Sequence, residues 1–351
     1  STLSSSSAAS DVYKRQTIVG ATSGDTGGAA IAAFAQSART DIFILFPKGR
    51  VSPVQQRQMT GHGAANVHAL AVEGTFDDCQ ALVKSMFNDA AFRRDTALSG
   101  VNSINWARIM AQIVYYFTAA ASLGAPARKI SFTVPTGNFG DIFAGYAAKR
   151  MGLPIDRLVI ATNANDILAR TLADGVYETL GVHPTTSPSM DIQVSSNFER
   201  LLFEASGRDA ALVTRLMQSL SQSGRFTLPD GVLAAIRAEF DAGRADEAAT
   251  AETIRTVNDT RAYLLDPHTA VAVCVAGATA HDGVMVVLGT AHPAKFPDAV
   301  EAASGIRPAL PPTHADLMEK PEVFTVLGND AAAIKAFIAG HSRAATTGVA
   351  A

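Results

Sequence analysis

The chain has 351 residues, of which 48% are apolar, and its formal net charge is −3. This length allows two α/β domains with a substantial core, and the charge gives no electrostatic reason to expect a nucleic-acid partner. The two cysteines, Cys79 and Cys274, lie far apart in sequence and indicate neither a disulfide framework nor a zinc site. The longest apolar stretch is too short for a bilayer. We therefore expect a cytoplasmic protein without a membrane partner.

Residues 1–16 differ in composition from the rest of the chain. They begin with a Ser- and Ala-rich run and end in Asp-Val-Tyr-Lys-Arg-Gln, which has no continuity with the strand that follows. They lack the apolar region of a secretory signal, and a Ser-rich transit peptide is not expected to abut a core strand. These features predict a non-native or unstructured leader and a natural N-terminal region that is missing.

Strand and helix patterns alternate after the leader. Continuous apolar strands between helices are typical of parallel sheets that are covered on both faces. Residues 124–128 are the predicted boundary, so that residues 17–128 form a smaller first domain, predicted to be incomplete. Its predicted strands are 17–22, 41–47 and 67–72, and its predicted helices are 27–36, 54–60, 76–92 and 106–121.

Residues 129–351 repeat the alternation and form the larger predicted second domain. The stretch 197–258 shows few strand signals and is predicted to be a helical insertion. The sequence thus predicts an α/β fold with parallel-type sheets. The further predicted strands are 130–134, 158–162, 284–288 and 323–327, and the helices are 141–151, one from about 165, 266–280, 293–304 and 330–339.

Two turns have the same arrangement of strand, tight turn and helix start. Thr-Ser-Gly-Asp-Thr-Gly at 22–27 follows the first predicted strand, and Pro-Thr-Gly-Asn-Phe-Gly at 135–140 follows the strand 130–134. Such turns present backbone N–H groups to an anion, and the helix dipole adds positive potential. Two anion-binding turns in one chain suggest a cofactor phosphate and an anionic substrate.

These turns belong to an ordered set of segments that resembles the threonine synthase family, which uses pyridoxal 5'-phosphate (PLP) and has fold type II. The resemblance extends from residue 17 almost to the C-terminus, and the helical insertion is similar to that of the longer fungal and bacterial branch. Any one segment is weakly specific, but the ordered set is very specific. The segments are 21–27, 47–53, 73–80, 102–108, 135–141, 161–166, 266–270 and 290–296.

The resemblance implies two α/β domains with the cofactor in the cleft, and conversion of O-phosphohomoserine and water to L-threonine and phosphate by a monomer or homodimer. It implies that the 137–140 turn holds the cofactor phosphate, that Asp25 lies near the 3'-oxygen, and that Thr290 meets the pyridine nitrogen. No metal is implied. The cofactor-binding residues are then Gly137, Asn138, Phe139, Gly140, Asp25 and Thr290, and the substrate-binding residues are Ser23, Thr26, Asn102, Ser103 and Arg108.

One departure from the family concerns the catalytic lysine. The family carries its Schiff-base lysine in a Phe-Lys-Asp segment before the first turn, and the 351 residues contain no such segment. Lys14 stands in Tyr-Lys-Arg, too close to the first strand. The expectation is an inactive fragment without a catalytic residue of its own.

The residues assigned to binding roles also have simpler, structural interpretations. Ser, Asp and Thr are favoured helix caps, so both turns and the 102–108 segment could be ordinary helix starts. Asp266 is most simply a helix cap, and His268 and His292 are expected to be structural.

Rival functions also remain open. A threonine or serine dehydratase has no phosphate on its substrate, which the 102–108 segment argues against. A non-catalytic, truncated PLP-binding protein is a second alternative. A dinucleotide-binding Rossmann domain is disfavoured, because no Gly-x-Gly-x-x-Gly follows the first strand.

Overall fold

The computed structural model describes residues 15–22, 24–101 and 105–346. Ser23, Asn102 and Ser103, three of the predicted substrate-binding residues, lie outside the described residues, as does most of the predicted leader. The chain divides into two compact units, one formed by residues 1–102 with 310–351 and the other by residues 103–309. Each unit is built around its own parallel sheet.

The first unit begins with four strands and four helices. The strands are β1 (Gln16–Ala21), β2 (Thr40–Pro47), β3 (Val67–Glu73) and β4 (Leu98–Gly100), and the helices are α1 (Asp25–Phe34), α2 (Pro53–Thr60), α3 (Phe76–Asn88) and α4 (Ala90–Asp95). The strands all pair in parallel, in the order β3-β2-β1-β4. Strand β2 is buried along almost its whole length because its Ile-Phe-Ile-Leu-Phe run lies between two neighbours and under helices.

Two helix starts of this unit are specified by local sequence. The Ser52 hydroxyl accepts from the N–H of Gln55, whose side chain bonds back to the Ser52 backbone, and Pro53 occupies the first turn. Thr75 makes the same reciprocal arrangement with Asp78. Such capping boxes satisfy N–H groups that the helix itself cannot.

The strands of the second unit are β5 (Ile130–Pro135), β6 (Ile155–Thr162), β7 (Val176–Glu178), β8 (Arg225–Thr227), β9 (Phe240–Arg244) and β10 (Val284–Val287). Four of them form a parallel sheet in the order β10-β5-β6-β9. A short antiparallel pair, β7 with β8, lies apart from this sheet. The helices are α5 (Trp106–Ser122), α6 (Gly140–Arg150), α7 (Ile167–Asp174), α8 (Phe198–Ala205), α9 (Ala210–Ser223), α10 (Asp230–Glu239), α11 (Glu247–Arg261), α12 (Pro267–Ala278) and α13 (Pro297–Ser304).

The predicted helical insertion at 197–258 is only partly helical. It contains β8 and, more importantly, β9, which pairs with β6 and forms one edge of the main sheet. Its sequence Phe-Asp-Ala-Gly-Arg gives little strand signal because the packing requires small residues. A Cβ at Gly243 would lie 2.8 Å from a methyl group of Val275 on α12, so the helix approaches the strand backbone directly.

The C-terminal segment returns to the first unit, and α5 belongs to the second. The strand β11 (Thr325–Gly328) pairs in parallel with β3, and the helices α14 (Ala331–His341) and α15 (Arg343–Thr346) follow. Arg343 donates to both carboxylate oxygens of Asp41 on β2, at 2.7 and 2.8 Å. Helix α5 belongs to the second unit, because its Tyr116 is buried in the core of that unit.

The two units therefore differ from the predicted domains, which divide between residues 128 and 129. The C-terminal segment joins the first unit through a long-range pairing with β3, and α5 joins the second unit through its core contacts.

Candidate functional site

The turn between β5 and α6 lies at the carboxyl edge of the second unit's sheet. Phe139 precedes α6 in the left-handed conformation, with φ of 63°, and its side chain does not cap the helix. Its ring is buried against Phe198 and Phe240, and this burial offsets the cost of an unfavourable backbone conformation. Within the described residues, the first N–H groups of α6 have no side-chain cap at this position. Such a helix start is suited to an anion.

The segment 195–197 holds this turn by its carbonyl groups. The Ser195 hydroxyl donates to the carbonyl oxygen of Gly137 at 2.7 Å. The backbone N–H and the side-chain amide of Asn197 both donate to the carbonyl oxygen of Asn138, at 3.0 and 2.9 Å. Carbonyl oxygens repel anions. Because the carbonyls of Gly137 and Asn138 accept hydrogen bonds from this segment, they repel an anion at the turn less strongly. Sequence analysis missed this segment, whose Ser-Ser-Asn pattern resembles an ordinary helix start.

Packing within the second unit requires a glycine at position 137. A Cβ at this position would lie 2.6 Å from the carbonyl oxygen of Ser189 and 3.4 Å from the Cα of Met190. The glycine therefore lets the 3₁₀ turn Pro188–Met190 pack directly against the turn at 137–140.

Arg108 lies in the first turn of α5, after the cap that Asn105 provides through its bond to the N–H of Ala107. Its Nη1 atom is fully buried and has no hydrogen-bond partner among the described residues. Burial lowers the pKa of the Arg108 guanidinium, and Tyr115 and Asp141 oppose that effect. A buried cationic nitrogen without a partner is costly, and an anion would relieve this cost.

A cluster around Asp141 connects this helix to the start of α6. The Tyr115 hydroxyl donates to the Asp141 carboxylate, and the Tyr116 hydroxyl donates to the same oxygen at 3.1 Å and to the Asp141 carbonyl at 2.9 Å. Burial raises the pKa of Asp141, while the two tyrosines and Arg108 lower it. Sequence analysis missed the cluster because two adjacent tyrosines within a helix resemble core residues. The cluster ties the helix of Arg108 to the turn at 137–140.

Thr290 follows β10 at the same edge of the sheet. Val287 is in register with Thr133 of β5, and the N–H of Leu288 donates to the Thr133 carbonyl at 3.0 Å. Since β5 and β10 are parallel neighbours, the segments after Pro135 and after Val287 emerge together. Thr290 is exposed there, where a bound cofactor could contact it.

In the first unit, Asp25 and Thr26 occupy the first turn of α1, both half-buried. The Thr22 hydroxyl accepts from the N–H groups of Gly24 and Gly27, both at 2.9 Å. The Gln55 amide donates to Asp25 at 3.2 Å. The residue before the helix is glycine with φ of 140°, so neither Asp25 nor Thr26 is the N-cap.

The remaining singled-out residues have structural contacts. Asp266 caps α12 by accepting from the N–H groups of His268 and Thr269, as predicted. His292 Nδ1 accepts from the N–H of Ala294 at 3.1 Å.

In residues 15–22, 24–101 and 105–346, no group of three or more His, Cys, Asp or Glu residues could hold a metal ion. No helix in these ranges is long and apolar enough to cross a membrane.

Two family models match the chain. Residues 3–216 match the pyridoxal-phosphate dependent enzyme family, and residues 269–338 match the C-terminal region of threonine synthase. The chain is 52% identical over 331 residues to threonine synthase of Pseudomonas aeruginosa, covering 93% of this chain and 71% of that protein. It is 46% identical over 311 residues to threonine synthase of Saccharomyces cerevisiae, covering 83% of this chain and 60% of that protein.

Solved structures give the same result. The chain is similar to PLP-bound threonine synthase from Brucella melitensis, with a TM-score of 0.92, 66% identity and coverage of 95% of this chain and 72% of that one. For yeast threonine synthase the TM-score is 0.85 and the identity 42%, over 93% of this chain and 70% of that one. Maize serine racemase, at 16% identity and a TM-score of 0.51, shares the fold alone. The predicted fold type II is confirmed, and the chain belongs to the threonine synthase family of PLP-dependent enzymes.

Proposed function

We propose that the protein converts O-phosphohomoserine and water to L-threonine and phosphate. The observation that carries this proposal is the buried Nη1 atom of Arg108, which has no hydrogen-bond partner among the described residues and lies on a helix tied to the turn at 137–140. Serine and threonine carry one anionic group, the α-carboxylate, whereas O-phosphohomoserine carries a carboxylate and a phosphate. A buried cationic group in addition to the two turns therefore favours the phosphorylated substrate.

We assign PLP to the second unit's sheet edge. The N–H groups at 137–140 would hold its phosphate, because the helix start is uncapped and the Gly137 and Asn138 carbonyls are held by the 195–197 segment. Thr290 would meet the pyridine nitrogen with a neutral hydroxyl, and Asp25 would lie near the 3'-oxygen. When bound, PLP supplies an electron sink for negative charge that develops on the substrate.

The chain's own residues would bind the substrate and orient its leaving group. Arg108 would hold the phosphate that departs, and the half-buried Thr26 would bind an anionic group of the substrate. Ser23, Asn102 and Ser103 are assigned to the same task by resemblance only, because they lie outside the described residues. Asp141 would contribute indirectly, by holding α5 and α6 together through its tyrosine partners.

We further propose that residues 1–351 alone are inactive. In the family a lysine bonds to the cofactor and moves protons at the substrate's α and β carbons, and no Phe-Lys-Asp segment is present. On this proposal the chain binds PLP or phosphate reversibly without turnover. A cytoplasmic location and a monomeric or homodimeric state also remain predictions.

The test is phosphate release from O-phosphohomoserine with added PLP, measured for residues 1–351 and for a chain with a close homologue's N-terminal region joined before Thr17. We expect turnover only from the joined chain. Turnover of roughly 1 s⁻¹ or more by residues 1–351 would refute the inactivity proposal. Activity of the joined chain on serine or threonine, and none on O-phosphohomoserine, would favour a dehydratase.

A further inference from the structure

A buried pair, Asp266 and His268, lies at the start of α12. Both side chains are almost completely buried. His268 Nε2 accepts from the N–H of Ser189 at 3.2 Å, so this nitrogen carries no proton. Nδ1 must then carry the proton, which it donates to Asp266 at 3.1 Å. The contacts thus define a neutral imidazole with one tautomer, oriented by the carboxylate.

The imidazole is not needed to cap the helix. Asp266 caps α12 through the backbone N–H groups of His268 and Thr269, and its other oxygen accepts from the Thr269 hydroxyl. A different side chain at position 268 would leave these three bonds in place. The bond from Ser189 to Nε2 therefore connects the helix start to another part of the unit.

That other part is the 3₁₀ turn Pro188–Met190, which packs against the anion-binding turn. The N–H of Ser189 points to His268, and the Ser189 carbonyl lies where a Cβ of Gly137 would be only 2.6 Å away. The hydrogen bond on one side of this residue therefore sets the position of the carbonyl on the other side. A shift of the 3₁₀ turn would move or release Gly137.

We propose that His268 is a positioning residue for the anion-binding turn. Oriented by Asp266, it holds the 3₁₀ turn Pro188–Met190 against Gly137 and so keeps the N–H groups at 137–140 in place for the cofactor phosphate. This inference rests on the proposed function, which assigns the phosphate of PLP to that turn.

Two amide substitutions separate the contacts of the imidazole. In His268→Asn, the shorter amide lies near the position of Nδ1, so it can contact Asp266 but cannot reach Ser189. In His268→Gln, the amide oxygen lies near the position of Nε2 and can accept from the Ser189 N–H. Thr269→Val is the matched control, because it removes a bond to the same carboxylate without changing the Ser189 contact.

The experiment measures dissociation constants for PLP and for pyridoxal, which lacks the phosphate, by equilibrium dialysis of the 351-residue chain and its variants. Amide hydrogen exchange of residues 136–142 and thermal unfolding are followed in parallel. We expect His268→Asn to weaken PLP binding about tenfold, the equivalent of one well-formed hydrogen bond, and to speed exchange at 136–142. The PLP dissociation constant of His268→Gln should stay within about threefold of the parent's. The dissociation constant for pyridoxal should change little in either variant.

Equal loss of PLP binding in the Asn, Gln and Val variants, with exchange at 136–142 unchanged, would overturn the proposal in favour of a purely structural role. If His268→Asn does not fold, faster exchange at 136–142 in His268→Gln than in the parent would overturn it, and unchanged exchange would support it. If the parent binds PLP no better than pyridoxal, the phosphate assignment fails. The exchange comparison then still decides whether His268 positions the turn.

Discussion

Replacement of Arg108 by methionine should separate stability from ligand binding. Nη1 of Arg108 is buried without a partner among the described residues, and burial lowers the pKa of the guanidinium. Methionine keeps the unbranched apolar stem of the arginine, lacks its guanidinium and carries no charge. Without an anion we therefore expect Arg108→Met to be neutral or stabilising, because it removes a buried polar atom that has no hydrogen-bond partner among the described residues.

The effect on ligand binding should have the opposite sign. Loss of one partner of a desolvated charge pair costs about 2–5 kcal/mol. Because Arg108 as a whole is only half-buried, we expect the lower part of that range, about 2–3 kcal/mol. This corresponds to a roughly 30- to 150-fold weaker affinity for O-phosphohomoserine.

Thermal unfolding with and without inorganic phosphate measures the first effect, and isothermal titration with O-phosphohomoserine in the presence of PLP measures the second. Arg255→Met is the control, since it removes the same charge from an exposed pair with Glu252 on α11. The reasoning is refuted if Arg108→Met lowers the melting temperature without phosphate and binds O-phosphohomoserine as tightly as the Arg255 control.

Three further predictions concern the neighbourhood of the turn. Gly137→Val should lower the free energy of unfolding by about 1–3 kcal/mol and impair PLP retention, because its Cβ would meet the Ser189 carbonyl at 2.6 Å; an unchanged melting temperature would contradict this. Ser195→Ala should cost about 1 kcal/mol in urea unfolding through the lost bond to the Gly137 carbonyl, whereas no loss would show that the bond contributes nothing. Because burial raises the folded-state pKa of Asp141, the stability from its protonated form is present at low pH and is lost as pH rises through that pKa. As pH rises through that pKa, the free energy of unfolding of Asp141→Asn should therefore increase relative to that of the parent. Parallel curves of unfolding free energy against pH would contradict this.

The elements next to both turns could be predicted from the sequence because their signals are local. An apolar strand, a glycine-containing turn and a helix start follow within about twenty residues, as at β5 and α6. β9 could not be predicted in this way, since Gly243 has no side chain at the point where α12 approaches the strand, and glycine has low strand propensity. Pairing of β11 with β3 depends on a contact across some 250 residues of chain.

The residues of the candidate site also fall into those with a local sequence signal and those defined by long-range contacts. The residues that would touch the cofactor phosphate stand in one short motif at 137–140, and resemblance could identify them. The residues that hold this motif come from four other places in the chain: Ser195 and Asn197 before α8, Ser189, His268, and the tyrosines of α5 that contact Asp141. None has a local signature, because each is defined by its partner and not by its neighbours in sequence.

The conformation of the turn at 137–140 depends on the contacts that surround it. Phe139 adopts a left-handed conformation that the four-residue motif does not favour by itself, and no side chain of the described residues caps the helix start there. The surrounding contacts must therefore supply the stability that the turn lacks. Substitutions behind the turn should accordingly weaken phosphate binding without touching the ligand, and those at Thr290 should leave the turn's amide exchange unchanged. The geometry of the anion site is thus a property of the second unit's packing, and the motif alone would not reproduce it in a short peptide.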